Sequence, residues 1–248
     1  MNIKYLAVTA ILAVSSTPTL AQEFTGASFS ATYAGTTEDG LDITGTSLKA
    51  SGGVALSPQF ALGGSLGLYN LDVEGSEDDA VNVTLRAMYR LGSSGTIGAF
   101  FANDSDNGDD ASSYGIEAGY ETSATFIDGY YGEVDVDDSS FDHSIYGAAI
   151  EFAVANNVSL TAGFDSYRVE DGEDSLTTRT WTIGTEYDFG NGASVYANIG
   201  EIVITEDDGT DEDSASASTA NIGVSFAMGE GRGTVLGNRS VYEATLPF

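Results

Sequence analysis

Residues 80–91 read AVNVTLRAMYRL. Alternate positions place Val81, Val83, Leu85, Ala87, Tyr89 and Leu91 together, and Asn82, Thr84, Arg86, Met88 and Arg90 together. A β-strand sends successive side chains to opposite faces, so this segment has one wholly apolar face and one bearing two arginines. Two settings suit such a strand. A soluble sandwich would lay the apolar face on its core and leave the arginines in water. A transmembrane sheet would give the apolar face to lipid.

The neighbouring sequence decides between them. Period-2 alternation predicts strands at 24–34, 43–56, 60–71, 80–91, 96–103, 112–122, 124–134, 143–154, 158–169, 178–189, 193–204 and 216–227. Their connections alternate in length. One set is short: SPQ, GSSG (92–95), TSA, ANN (155–157) and GNG (190–192). The other is longer and acidic: TTEDGLD, EGSEDDA, NDSDNGDDA, DVDDSSFD, EDGEDSLT and TEDDGTDEDSAS. An up-and-down membrane barrel has this asymmetry, with tight turns at one rim and long loops at the other. A sandwich built on Greek-key crossovers has no reason for it. Segments of about 10 residues also suit a tilted strand crossing hydrocarbon. Tyr33, Phe60, Tyr89, Tyr120, Tyr131, Tyr187, Phe189 and Phe226 lie near segment ends, as interfacial girdles require.

The opposite faces repeat the first segment's division. Ala27, Phe29, Ala31 and Tyr33 oppose Gly26, Ser28, Ser30 and Thr32, while Trp181, Ile183, Tyr187 and Phe189 oppose Thr180, Thr182, Glu186 and Asp188. An inner face of small, polar and charged residues is expected to be wet.

Composition agrees. The 248 residues include 31 Gly, 13 Tyr, 12 Phe and no Cys, with 38 acidic and 8 basic residues and a formal charge of −30. Aromatics at 10% and sustained alternation argue against disorder despite the charge. Such acidity makes nucleic acid an improbable partner. The start, MNIKYLAVTAILAVSSTPTLAQ, has Lys4, an apolar run from Tyr5 to Val14, and small residues before a cleavage point after Ala21. It reads as a secretory signal peptide, its apolar run too short to span a bilayer. Cleavage there removes Lys4 and no acid, so 7 basic and 38 acidic residues give −31. The expected organisation is a signal peptide at 1–21, a barrel domain at 22–227 and a tail or closing strand at 228–248.

The segment ANIGVSF (220–226) sets Ala220, Ile222, Val224 and Phe226 in alternation, ending on an aromatic. With the acidic meander, it resembles the closing strand of Gram-negative porins, most nearly the compact alphaproteobacterial type. The resemblance implies an outer-membrane location, passive diffusion of small hydrophilic solutes and ions, outer-membrane lipid and lipopolysaccharide as surroundings, and a homotrimer. General porins have 16 strands, whereas the segments here number about 12, a count typical of narrower barrels that are often monomers. The fold expected is therefore an all-β, transmembrane, up-and-down antiparallel barrel of about 12 strands, with 16 the lesser alternative. GEGRGTVLGNRSVYEATLPF follows Phe226. Its Tyr242, Ala244, Leu246 and Phe248 alternate like a terminal strand, but a tail at the periplasmic end is the preferred reading.

Alternation turns Lys49, Arg86 and Arg90 inward from strands 2–4, and Glu117, Glu121, Glu151, Glu186 and Asp188 inward from strands 6–10. In general porins, basic and acidic clusters face each other across the constriction and set a transverse field. The resemblance implies that role here, and such a field selects solutes by charge. The alternative is that these charges pair within the lumen and help close a narrow barrel. Asp104, Asp106, Asp109 and Asp110 surround a glycine in DSDNGDD, a weak calcium-loop pattern lacking the bidentate Glu at position twelve. No resident cofactor is expected; divalent cations between acidic loops and anionic lipid are the exception considered.

No enzyme is expected. The single histidine, His143, adjoins Asp142 and Ser144, yet strand neighbours point to opposite faces and cannot act as base and nucleophile together. The expected function is a passive, cation-preferring channel. The alternative is a non-conducting structural or adhesive barrel working through its surface loops.

Overall fold

The computed structural model describes residues 23–37, 43–73, 76–106, 110–137, 139–229 and 236–246. The proposed signal peptide lies outside them. Twelve strands form: β1 (Glu23–Thr37), β2 (Ile43–Ala55), β3 (Phe60–Val73), β4 (Ser76–Leu91), β5 (Gly95–Ser105), β6 (Asp110–Glu121), β7 (Thr125–Val136), β8 (Asp142–Ala155), β9 (Val158–Asp171), β10 (Asp174–Asp188), β11 (Ala193–Asp207) and β12 (Glu212–Met228). Each pairs antiparallel with its sequence neighbours, and β12 returns to β1. Closure runs from Ala27 opposite Met228 to Thr37 opposite Ser218, which leaves no open sheet edge.

The outward faces are apolar. Leu48, Leu85, Ile116, Trp181, Ile199 and Ile222 are between 53% and 68% exposed, an arrangement stable only where hydrocarbon surrounds the wall. No helix among the described residues is long and apolar enough to cross a membrane; the strands do the crossing. At the short-turn rim, Gly92, Gly190 and Gly192 adopt φ of +71°, +79° and +86°, where a side chain would be strained.

Two differences from the sequence reading are informative. β4, β10 and β12 each begin four residues earlier than predicted, at Ser76, Asp174 and Glu212. Above the lipid both faces are polar, so the backbone ladder continues after the hydropathy signal has stopped. The second concerns the end of the chain. Val241–Thr245 forms a helical turn, α1, and not a strand. Ser240 is its N-cap and accepts a hydrogen bond from Tyr242 N. The Ser240-x-x-Glu243 spacing is a helix-start pattern that outranked four alternating apolar residues.

Candidate functional site: the barrel lumen

The inner wall carries the divided pattern through to three dimensions. Asn82, Thr84 and Arg86 of β4 face inward, as do Glu117 of β6 and Asp128 of β7, and all are buried. The expectation of a tail at the periplasmic end is corrected here: residues 236–246 run inside the barrel and cover part of the inner face that was expected to be wet. Leu236, Arg239, Ser240 and Ala244 are each at most 3% exposed. Helix α1 rests against β8, β9 and β10. Ala244 packs with Phe100, Ala102, Val134 and Ile145, a small apolar core within the lumen.

The wall receives this segment through a matched set of polar groups. Arg86 donates from Nη1 to Leu236 O (2.7 Å) and from Nη2 to Gly237 O (2.6 Å). Asn82 Nδ2 donates to Arg239 O (3.2 Å), and Arg239 N donates to Thr84 Oγ1 (3.3 Å). Asp104 accepts from Asn82 Nδ2 (3.0 Å), Ser240 Oγ (2.6 Å) and Val241 N (3.0 Å). Glu243 pairs with Lys49 at 2.6 Å and accepts from Tyr69 OH at 2.8 Å. Tyr69 also stacks on Tyr242, which donates to Asp106 Oδ2 at 2.6 Å. Gly67 makes room: a Cβ there would lie 2.7 Å from Asn238 Nδ2.

At the centre is the Arg239 guanidinium. Nε donates to Glu117 Oε2 and Nη2 to Asp128 Oδ2, both at 3.0 Å. Its Cζ lies 4.3 Å from the centroid of the Tyr130 ring, a cation–π contact. Arg86 Nε is 3.2 Å from Glu117 Oε1, close enough for an ion pair but outside hydrogen-bonding geometry. Tyr130 is held by its own donation to Asp165 Oδ1 (2.8 Å). Charged groups this deep are stable only when paired, and these are.

The eight predicted wall residues therefore separate. Lys49, Arg86 and Glu117 belong to the network around the tail. Arg86 and Glu117 lie on one stretch of wall with only β5 between their strands, so this pair does not oppose across a gap. Arg90, Glu121, Glu151 and Glu186 are half-buried and Asp188 is exposed, all toward the short-turn end of their strands. Asp128, Tyr130, Asp165, Arg239 and Glu243 are additional. Asp128 was legible, since it alternates with Ile127 and Gly129; Arg239 was not, because no local pattern turns a tail into a lumen.

Of the calcium-loop residues, Asp104 and Asp106 face the tail, Asp110 is exposed and Asp109 lies outside the described residues. Among the described residues no group of three or more His, Cys, Asp or Glu could hold a metal ion. His143 Nε2 meets Ser139 Oγ at 2.8 Å, and Nδ1 meets Tyr167 OH at 2.7 Å. The ring thus ties the β7–β8 connection to β9; its second nitrogen faces a phenol where a catalytic triad has a carboxylate.

Residues 13–207 match the profile of the Gram-negative porin family. The chain belongs to the Gram-negative porins. The match ends where β11 ends, so β12 and the tail lie beyond it. Among solved structures, this porin is similar to the NanC porin (TM-score 0.58, 12% identity, 80% of this chain and 98% of that one). It is similar also to an outer membrane channel from Pseudomonas putida F1 (TM-score 0.60, 12% identity, 83% and 96%). The KdgM porin gives a TM-score of 0.51 at 12% identity, covering 79% and 98%. At such identity the likeness shows the fold alone. No curated protein sequence matches the chain. Family and fold together place this porin in the outer membrane and point to a channel, not an enzyme.

Proposed function

We propose that this porin is a passive diffusion channel for small hydrophilic solutes and ions, selective for cations, with a bore narrowed by its own tail. The observation that carries the reading is the closed sheet with apolar side chains outside and polar ones inside. The proposed path runs beside the tail along β1, β11 and β12. There Ser28, Ser30, Asn198 and Ser225 stay partly exposed. Their neighbours join them in a neutral ladder: Ser28 with Ser51, Ser194 with Ser225, and Asn198 with Asn221 and Thr161. Hydroxyls and amides replace hydration without binding any one ion tightly.

Cation preference follows from the short-turn half of the lumen, where Glu121, Glu151, Glu186 and Asp188 outnumber Arg90. Local carboxylates raise cation concentration at an entrance. The acidic long connections do the same at the other rim, and divalent cations there would bridge them to anionic lipopolysaccharide. A chelator should then lower the thermal midpoint in lipopolysaccharide-containing vesicles, and an unchanged midpoint counts against the bridge. Sedimentation of the refolded protein in detergent separates the homotrimer that the family resemblance implies from the monomer common among narrower barrels.

The channel test is conductance across a planar bilayer with the reversal potential under a salt gradient. Steps with a cation-selective potential support the reading; an anion-selective potential overturns the selectivity. The tail's occupancy of the lumen favours a second reading, a barrel that is closed at rest. Silence from folded wild-type protein together with steps from a tail-truncated one would select it.

A further inference from the structure

The contacts made by Arg239 describe a site on the wall more than a property of the tail. Glu117 and Tyr130 are register partners on β6 and β7, and Asp128 lies two residues before Tyr130 on the same inward face. Their positions are set by the sheet register and not by the tail. Tyr130 is fixed further by its hydrogen bond to Asp165 and an edge contact with Phe100. Arg86 neutralises one side of Glu117, so the groups in ion-pair contact, Arg86, Glu117 and Asp128, sum to +1 − 1 − 1 = −1, and the Asp165 carboxyl behind Tyr130 adds to the preference for a cation. The wall thus has room for one monovalent cation, with carboxylate oxygens along its edge and an aromatic face above its plane.

Those requirements fit a guanidinium better than an ammonium. The guanidinium is planar, donates in a fixed fork, stacks on aromatic rings and is weakly hydrated; an ammonium is a compact, strongly hydrated charge. Arg239 meets every requirement, yet reaches the site on a segment that takes no part in the sheet.

We propose that Glu117, Asp128 and Tyr130 form a guanidinium-recognition site in the channel wall, that Arg239 occupies it as an internal ligand, and that solutes bearing a guanidinium group compete for it. This rests on the reading of the barrel as a channel. Binding of such a solute exchanges one guanidinium for another, leaves the charge of the site unchanged and frees the tail at its buried, doubly ion-paired side chain.

Chemical rescue tests the site without relying on conduction. Full-length Arg239→Ala, refolded in detergent, is heated with ethylguanidinium or ethylammonium at millimolar concentration. Ethylguanidinium should raise the thermal midpoint saturably toward the wild-type value. Ethylammonium should need at least about tenfold more, a ratio equivalent to about 1.4 kcal/mol. Adding Asp128→Asn should abolish the effect. No rescue, or equal rescue by both cations, overturns the proposal. Should Arg239→Ala not fold, flux into vesicles bearing wild-type protein decides: saturating for ethylguanidinium and linear for ethylammonium is expected, while equal linear fluxes overturn the proposal. Absence of flux for every solute would strike the channel reading and, with it, the claim that solutes compete for the site; where Arg239→Ala folds, the rescue result judges the site apart from conduction.

Discussion

Arg239 carries the largest single consequence at the scale of the residue. Truncating it strands Glu117 Oε2 and Asp128 Oδ2 in a buried setting, and losing one partner of a buried pair costs about 3–5 kcal/mol. Urea unfolding of refolded Arg239→Ala should show a loss of that order, and Glu117→Gln with Asp128→Asn in the same chain should recover part of it. A loss below about 1 kcal/mol, the scale of an exposed pair, would contradict the buried network. The same residue marks where sequence reading stops. Lys49, Arg86 and Glu117 were legible as inward-facing because strand alternation is local. Their partners were not, since a tail carries no period that says which surface it will meet. Sequence placed Arg86 and Glu117 on facing walls, whereas the barrel's neighbour-to-neighbour order brings them together.

Strands were the most legible of the elements, because lipid outside and polar groups inside impose the two-residue period over the membrane's thickness. Their outer extensions were not, since both faces there are polar. The tail was preferred to a closing strand, but its helix α1 and its place inside the lumen were not legible: five residues give too few turns for periodicity, and only the Ser240 cap distinguishes the helix. Two predictions belong at this scale. Gly67→Val should evict the tail without breaking the barrel, since its Cβ would sit 2.7 Å from Asn238 Nδ2 and 2.5 Å from Tyr69 OH. Trypsin should then cleave after Arg239, which is 3% exposed in the intact protein, and mass spectrometry reads the cut; continued protection would contradict the packing. In the β11–β12 turn, Asp208 accepts from the Thr210 hydroxyl and from the amides of Asp211 and Thr210, which pulls its pKa down to about 2. A depressed carboxyl stabilises its turn above the ordinary carboxylate range and loses that contribution as pH falls through about 2. Its carboxyl carbon resonance should therefore titrate near there, and a midpoint near 4 would remove the turn's hydrogen bonds from the account.

The whole molecule joins a family barrel to a segment beyond the family match. Selectivity is a property of this scale, because it sums over charges at both rims and along the bore. Neutralising Arg90 should move the reversal potential toward stronger cation preference. Converting Glu121 and Glu151 to glutamine should move it the other way, by comparable amounts. Unchanged potentials in both variants would take the short-turn half out of the selective path. The central claim is a conducting barrel whose tail limits its bore, and the most direct test compares single-channel conductance of the wild-type protein with that of a chain ending at Gly229. The account predicts stable, cation-selective steps from both, several-fold larger in the shortened chain; equal conductance from two verified barrels would contradict it.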